Sequence, residues 1–269
     1  MSETPIRLVL SDVDGTLINS NKELTAETIR AVRALEERDI LFTLTSARPP
    51  RGFAMFLEPL DLTAPLGAFN GGLFVNRDMS PIHELAVDES LVGPIIAALS
   101  ASELSVWVYQ GTDWYVLDLE GPHVAHESDV VQFRPTQIAS FNDLRRDVVK
   151  IVGVSDDPKA IAKGQSALGG FDISATTSQT YYLDVTNPLA NKGSVVEFLA
   201  AHFSIERDSI ATIGDAGNDV AMFERSGLSI AMGNASSDVR AKALMETKSH
   251  DDNGFAYAVE HLILPRADA

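Results

Sequence analysis

The chain has no cysteine. Disulfide scaffolds, thiolate metal sites and cysteine nucleophiles are excluded by that absence. Histidine is scarce, with six in 269 residues. Only His123 and His126 stand at a loose ligand-like spacing; scattered surface or core histidines are the expectation. Basic residues are few: Lys plus Arg is 21 against 38 Asp plus Glu, a formal charge of −17. A surface of that sign repels nucleic acid and anionic lipid, so neither is an expected partner. No apolar run reaches the ~18 residues that a membrane span needs. The opening Met1-Ser2-Glu3-Thr4-Pro5 lacks a basic stretch followed by an apolar one. The expectation is a cytoplasmic protein. There is no internal repeat and no low-complexity tract.

What is present is core material. Hydrophobic residues make up 45% of the chain, enough to bury a sizeable interior. The length fits one large domain, or a core with an insert. Arg7-Leu8-Val9-Leu10 reads as a buried strand ending at Ser11-Asp12. Thr25 to Arg38 reads as a helix capped by Thr25, with Ile29, Ala31, Val32 and Leu35 on one face. Ile40 to Thr45 and Leu66 to Phe69 read as further strands, the latter ending in the turn Asn70-Gly71-Gly72.

The middle differs. A helix is expected over Glu89 to Ala101, and a hairpin from Ser105–Tyr109 and Trp114–Leu117. Strand 148–154, helix 158–168 and strands 172–176 and 181–185 follow. From Lys192 the α/β rhythm returns: helix 193–203, strand 209–213, helix 220–226, strand 228–231 and helices 238–244 and 254–264. The fold class expected is α/β. A doubly wound, parallel, Rossmann-like core (1–82 and 187–269) is split by an inserted α+β cap domain (83–186).

Two acidic segments carry the chemistry. Asp12-Val13-Asp14-Gly15-Thr16 follows the first strand directly. Ligands of open α/β sheets bind at strand carboxyl ends, and paired carboxylates there need a cation or a proton. An acidic turn would use the same residue types, but turn acids seldom follow so apolar a strand. Gly214-Asp215-Ala216-Gly217-Asn218-Asp219 repeats the arrangement after Ile210–Ile213. Carboxylates from two strand ends suit Mg²⁺ rather than zinc. Ser46 and Lys192 are weak signals singly. With the acids they complete the needs of phosphoryl transfer: a nucleophile, a second acid, a cation site, a hydroxyl donor and a fixed positive charge.

These segments, in order, resemble the four motifs of the haloacid dehalogenase superfamily of phosphatases. Phe69-Asn70-Gly71-Gly72, Ala231-Met232-Gly233-Asn234-Ala235 and Asp252-Asn253-Gly254-Phe255-Ala256 are similar to stretches of its Cof-type branch. The second motif departs from the usual Thr-Gly-Arg and reads Ser46-Ala47-Arg48, which keeps the hydroxyl. Strand alternation turns the neighbouring Thr45 the other way. The resemblance implies Asp12 as nucleophile and Asp14 as acid, then base. It implies Mg²⁺ held by Asp12, the Asp14 carbonyl and Asp215. It places phosphate on Ser46, Lys192, Asn218 and the Val13 N–H. Asp219 would act through water or by orienting Lys192. Asn70, Gly71 and Arg48 would support the site, Arg48 and Arg134 as positive charge near substrate. The partner implied is a small-molecule phosphate ester. A phosphomutase of the same superfamily and a non-catalytic sugar-phosphate-binding module remain open alternatives. A phospho-receiver domain fits less well, because its acids lie on different strands and the insert would be unexplained. Most of the insert's aromatics are expected in its core.

Overall fold

Leu8–Ser11 is buried along its whole length, as an inner strand of a parallel sheet requires. The computed structural model describes residues 4–267. Its contacts divide the chain into two compact units. One comprises the chain before Ala47, Phe56–Gly71 and the chain from Asn191 onward; the other comprises Ala47–Met55 and Gly72–Ala190.

The first unit is built on five parallel strands: β1 (Leu8–Ser11), β2 (Leu41–Leu44), β3 (Ile210–Gly214), β4 (Leu228–Ala231) and β5 (Met245–Glu246), in the spatial order β5-β4-β3-β1-β2. The chain runs outward from β1 to β2 and later outward from β3 to β5. The order therefore reverses between β1 and β3, where open sheets place their ligands. Ser11 is level with Ile213 on one side and Leu44 on the other, so the loops after all three strands leave one edge together. Helix α1 (Ala26–Glu36) is capped by Thr25, whose hydroxyl accepts from the Thr28 N–H, and buries Ala31, Val32 and Leu35. Helix α2 (Lys192–Phe203) is capped by Asn191, whose side-chain Oδ1 accepts from Gly193 and Ser194 N–H.

The second unit has a six-stranded sheet in the order 174–179, 182–186, 148–154, 105–110, 113–116, 136–137. All neighbours are antiparallel except the last pair. Val106, Val108, Ile151 and Leu183 pack into one core with Val92, Ile95, Leu99 and Ile161 of helices Glu89–Ala101 and Pro158–Ala167. Alternation puts Trp107, Tyr109 and Trp114 on the other face. Their rings lie 5.0 Å (Trp107 to Trp114) and 5.6 Å (Tyr109 to Trp114) apart. These aromatics are core, as expected.

Several boundaries moved. The expected helix 238–244 is a single turn, Ser237–Arg240. The final helix widens into a π-helical turn at Val259–Ile263 and ends as a 3₁₀ turn at Leu264–Arg266, because Pro265 has no N–H to extend the ladder. The hairpin of Leu73–Val75 with Pro81–Glu84 and the helix Val124–Val131 were not anticipated. Among the described residues, no helix is long and apolar enough to cross a membrane.

Candidate active site

Asp12 leaves the end of β1, and its N–H donates to the Ile213 carbonyl (2.9 Å), so its backbone is still tied to the sheet. Its carboxylate is buried. Lys192 is the first residue of α2, fixed there by the Asn191 cap, and its Nζ lies 2.6 Å from Asp12 Oδ1 and 2.5 Å from Asp219 Oδ1. Asp219 Oδ2 accepts the N–H groups of Asp215 (2.9 Å) and Ala216 (2.8 Å). Both Asp219 oxygens are thus committed to protein donors. One of those donors is the Lys192 ammonium.

Asp215 is held differently. Thr16 Oγ1 donates to its Oδ1 (3.2 Å) and Asn234 Nδ2 to its Oδ2 (3.2 Å). Both donors are neutral, so the carboxylate charge stays available, and each oxygen keeps a lone pair for a further ligand. Gly15 makes this approach possible: at φ +83° it is left-handed, and a Cβ there would overlap the Asp215 carboxylate. Oxygens of Asp12, Asp215 and Asp219 all lie within 4.8 Å of one another. Three carboxylates against the one ammonium leave two negative charges, which a divalent cation would balance. The all-oxygen donor set fits Mg²⁺.

The electrostatics follow from burial. Loss of solvent pushes the Asp12 carboxyl well above the usual carboxylate range; Lys192 pulls it back, and Asp219 and Asp215 add to the rise. Burial alone would lower the Lys192 ammonium, but Asp12 and Asp219 outweigh it and the net direction is up. Asp215 is raised by burial and by Asp219, with the Thr16 hydrogen bond and Lys192 offsetting part.

Asp14 is partly exposed, and its Oδ1 lies 2.8 Å from Lys22 Nζ, a partner the sequence gave no reason to expect. Val13 is buried, and its carbonyl accepts the Leu17 N–H (2.9 Å). Ser46 is buried, its N–H donating to the Gly67 carbonyl (3.1 Å). Thr45 Oγ1 donates to that same carbonyl (3.0 Å). Phe69, Asn70 and Gly71 are three successive left-handed residues, at φ +51°, +55° and +95°. A Cβ at Gly71 would sit 2.7 Å from the Asn191 carbonyl oxygen. This costly turn lets the Asn70 N–H donate to the Ser46 carbonyl (2.8 Å) while its Oδ1 accepts from Asn218 Nδ2 (3.3 Å).

Arg48 belongs to the second unit, where it is buried and donates to the Val130 carbonyl (3.1 Å). Arg134 is exposed. His123 pairs with Asp156 (2.7 Å) and stacks on Tyr181; its ring is 6.4 Å from that of His126, and the two form no metal cluster among the described residues. Of the further residues at the site, Thr16 closes the first acidic segment and Asn234 stands in the stretch Ala231–Ala235, whereas no sequence pattern marks Lys22 or His250.

The pattern of the haloacid dehalogenase-like hydrolase family matches residues 9–259. A putative phosphatase of Haemophilus influenzae is 28% identical over 257 residues, covering 94% of this chain and 97% of that protein. The Bacillus subtilis 5-amino-6-(5-phospho-D-ribitylamino)uracil phosphatase YwtE is 26% identical over 285 residues, covering 96% of this chain and 98% of that one. A haloacid dehalogenase-like hydrolase structure from Bacteroides thetaiotaomicron superposes with a TM-score of 0.88 at 25% identity, covering 96% and 99% of the two chains. Together with an acid-lined strand edge built from Asp12, Lys192, Asp215 and Asp219, these likenesses place the chain: it belongs to the haloacid dehalogenase-like hydrolases, among the Cof-type phosphatases.

Proposed function

We propose that the protein is a Mg²⁺-dependent phosphomonoester hydrolase that works through an aspartyl-phosphate on Asp12. Its substrates are small phosphorylated metabolites, either sugar phosphates or phosphorylated cofactors. One observation carries the reading: a buried carboxylate at the end of the inner strand β1, pinned 2.6 Å from a buried ammonium and flanked by Asp215. Lys192 Nζ donates to Asp12 Oδ1 and holds the carboxylate in place. A carboxylate oxygen of Asp12 bonds to phosphorus as the ester P–O bond breaks, and the Asp14 carboxyl gives its proton to the departing alcohol oxygen. Asp14, now ionised, takes a proton from the water that attacks phosphorus, and the bond to Asp12 breaks. Ser46, Lys192, Asn218 and the Val13 N–H hold the phosphate oxygens. Mg²⁺, held by Asp12, the Asp14 carbonyl and Asp215, would supply the positive charge that lets a phosphate dianion approach these acids.

The test is phosphate release from p-nitrophenyl phosphate with and without Mg²⁺, together with mass spectrometry of acid-quenched enzyme. Expected are Mg²⁺-dependent turnover and one phosphoryl group on the peptide containing Asp12. A folded Asp12→Asn protein should lose about 10³-fold or more in kcat; near-normal activity in that variant would rule the mechanism out.

A further inference from the structure

Asn234 ties three separate loops together. Its Nδ2 donates to the Gly15 carbonyl (2.9 Å) and to Asp215 Oδ2 (3.2 Å), and its Oδ1 accepts the His250 N–H (3.0 Å). The amide orientation is fixed by these partners: a flipped amide would set its oxygen against two acceptors and its NH₂ against a donor. Gly15 lies in the loop after β1, Asp215 in the loop after β3, and His250 in the 3₁₀ turn His250–Asp252. That turn is anchored in its own right. Asp251 accepts from the Ser20 N–H (2.8 Å) and Ser20 Oγ (2.7 Å), and His250 Nε2 lies 3.1 Å from the same hydroxyl. Asn253 Oδ1 accepts from Thr25 Oγ1 (3.1 Å) at the head of α1.

We infer that Asn234 is a positioning residue that aims the Asp215 carboxylate at the cation site. This inference rests on the Mg²⁺ reading proposed above. Asp215 receives one neutral donor on each oxygen, Thr16 and Asn234. Two such donors fix the plane of a carboxylate without spending its charge. Asp219, by contrast, faces an ammonium and two backbone donors, and its charge is consumed inside the protein. A cationic residue at position 234 would neutralise Asp215 and compete with the metal; an aliphatic one would let the carboxylate rotate. An amide orients and leaves the charge in place. The His250–Asp252 turn, braced on Ser20 and Thr25, gives Asn234 a fixed base from which to do so.

Asn234 is exposed, so the Asn234→Ala protein should fold. Mg²⁺ is titrated calorimetrically into wild type and variant, both are melted without metal, and KM for p-nitrophenyl phosphate is measured at saturating Mg²⁺. The Mg²⁺ dissociation constant should rise about 10–100-fold, as for other partners of metal-ligating groups. Metal-free melting should stay within about 2 °C of wild type. The ester KM at saturating Mg²⁺ should move by less than about threefold, so that the defect reads as metal dependence and not as substrate binding. An unchanged Mg²⁺ isotherm overturns the inference. So does a variant that melts well below wild type without metal, because Asn234 would then be bracing the fold. Wild type that binds no Mg²⁺ would remove the metal reading itself, a separate outcome.

Discussion

Lys192 Nζ stands 2.5 Å from Asp219 Oδ1, and both side chains are closed to solvent. Asp219 cannot turn away, because its other oxygen accepts two backbone N–H groups. The ammonium is therefore fixed between an immobile carboxylate and Asp12. A buried cation so placed offsets the repulsion of Asp12 by its acidic neighbours, and in the mechanism proposed above it would present positive charge to the incoming phosphate.

Replacing Lys192 by Met leaves Asp12 and Asp219 facing each other without a counter-charge. Removing one partner of a buried pair costs about 3–5 kcal/mol. At ~2–4 °C per kcal/mol for a chain of this size, the metal-free melting temperature should fall on the order of 10 °C. Added Mg²⁺ should recover part of that loss, because it brings positive charge back to the same carboxylates. Thermal melts with and without Mg²⁺ check this. A Lys192→Met protein that melts like wild type in the absence of metal would show that the acids do not feel the ammonium as argued.

Asp14, by contrast, is partly exposed and lies 2.8 Å from Lys22. Asp14→Asn should cost alkyl phosphates about 10²–10⁴-fold in kcat, the range of general acid–base catalysis. The loss should be smaller for aryl esters, whose leaving groups need little proton donation. Because Asp14 would also activate water in the proposed mechanism, the aryl substrate should still give a burst of phenol before turnover stalls. Equal losses on both substrates with no burst would remove Asp14 from acid–base chemistry.

The parts of this design that were legible in the sequence are the local ones. Leu228–Ala231, Val148–Val154 and Glu89–Ala101 could be read to the residue, because apolar residues dominate each of them. The acidic loops were legible because each follows an apolar strand without a gap. The hairpin of Leu73–Val75 with Pro81–Glu84 was not, since Pro81 and the exposed Ile82 and His83 erase any alternation. Nor was Asn234, whose bond to Gly15 closes over 219 positions. Lys22 meets Asp14 only because the chain turns back at Lys22 itself, a left-handed residue at φ +63°. Contacts made by folding, rather than by spacing, leave no periodic trace.

Metal removal should separate binding from turnover. Exhaustive chelation should abolish phosphate release, because without a cation the acids repel a phosphate dianion. Ca²⁺ should not restore it and should inhibit in competition with Mg²⁺. Its oxygen ligands sit at about 2.3–2.6 Å and number 6–8, against about 2.0–2.1 Å and a strict octahedron for Mg²⁺. Either ion neutralises Asp12 and Asp215, but a misplacement of about 1 Å at a reacting centre can cost on the order of 10²-fold. Initial rates across a Ca²⁺ series at fixed Mg²⁺ levels decide it. Full activity in Ca²⁺ alone would contradict the site.

Glu127, in the second unit, gives a stability prediction independent of the chemistry. It is half-buried on the helix Val124–Val131, and it accepts from Tyr182 Oη at 3.4 Å. Burial pushes its carboxyl up, against the pull of Lys150 and with Asp184 adding to the rise. Lys150 is already committed to Asp184 at 2.8 Å, so its help is partial. A carboxyl whose folded-state value lies above its unfolded one is destabilising when ionised. The cost is fully present above the folded pKa, fades as pH falls through it, and is gone below the unfolded value, where both states hold the proton. Glutamine keeps the shape and the acceptor oxygen but never ionises. Glu127→Gln should therefore melt above wild type at about pH 8, and the gap should close as the pH falls toward the ordinary carboxylate range near 4. Melting curves across that range provide the check. A variant less stable than wild type at every pH would mean that the ionised Glu127 is a net stabilising partner of Lys150, and that its burial is not what sets its charge.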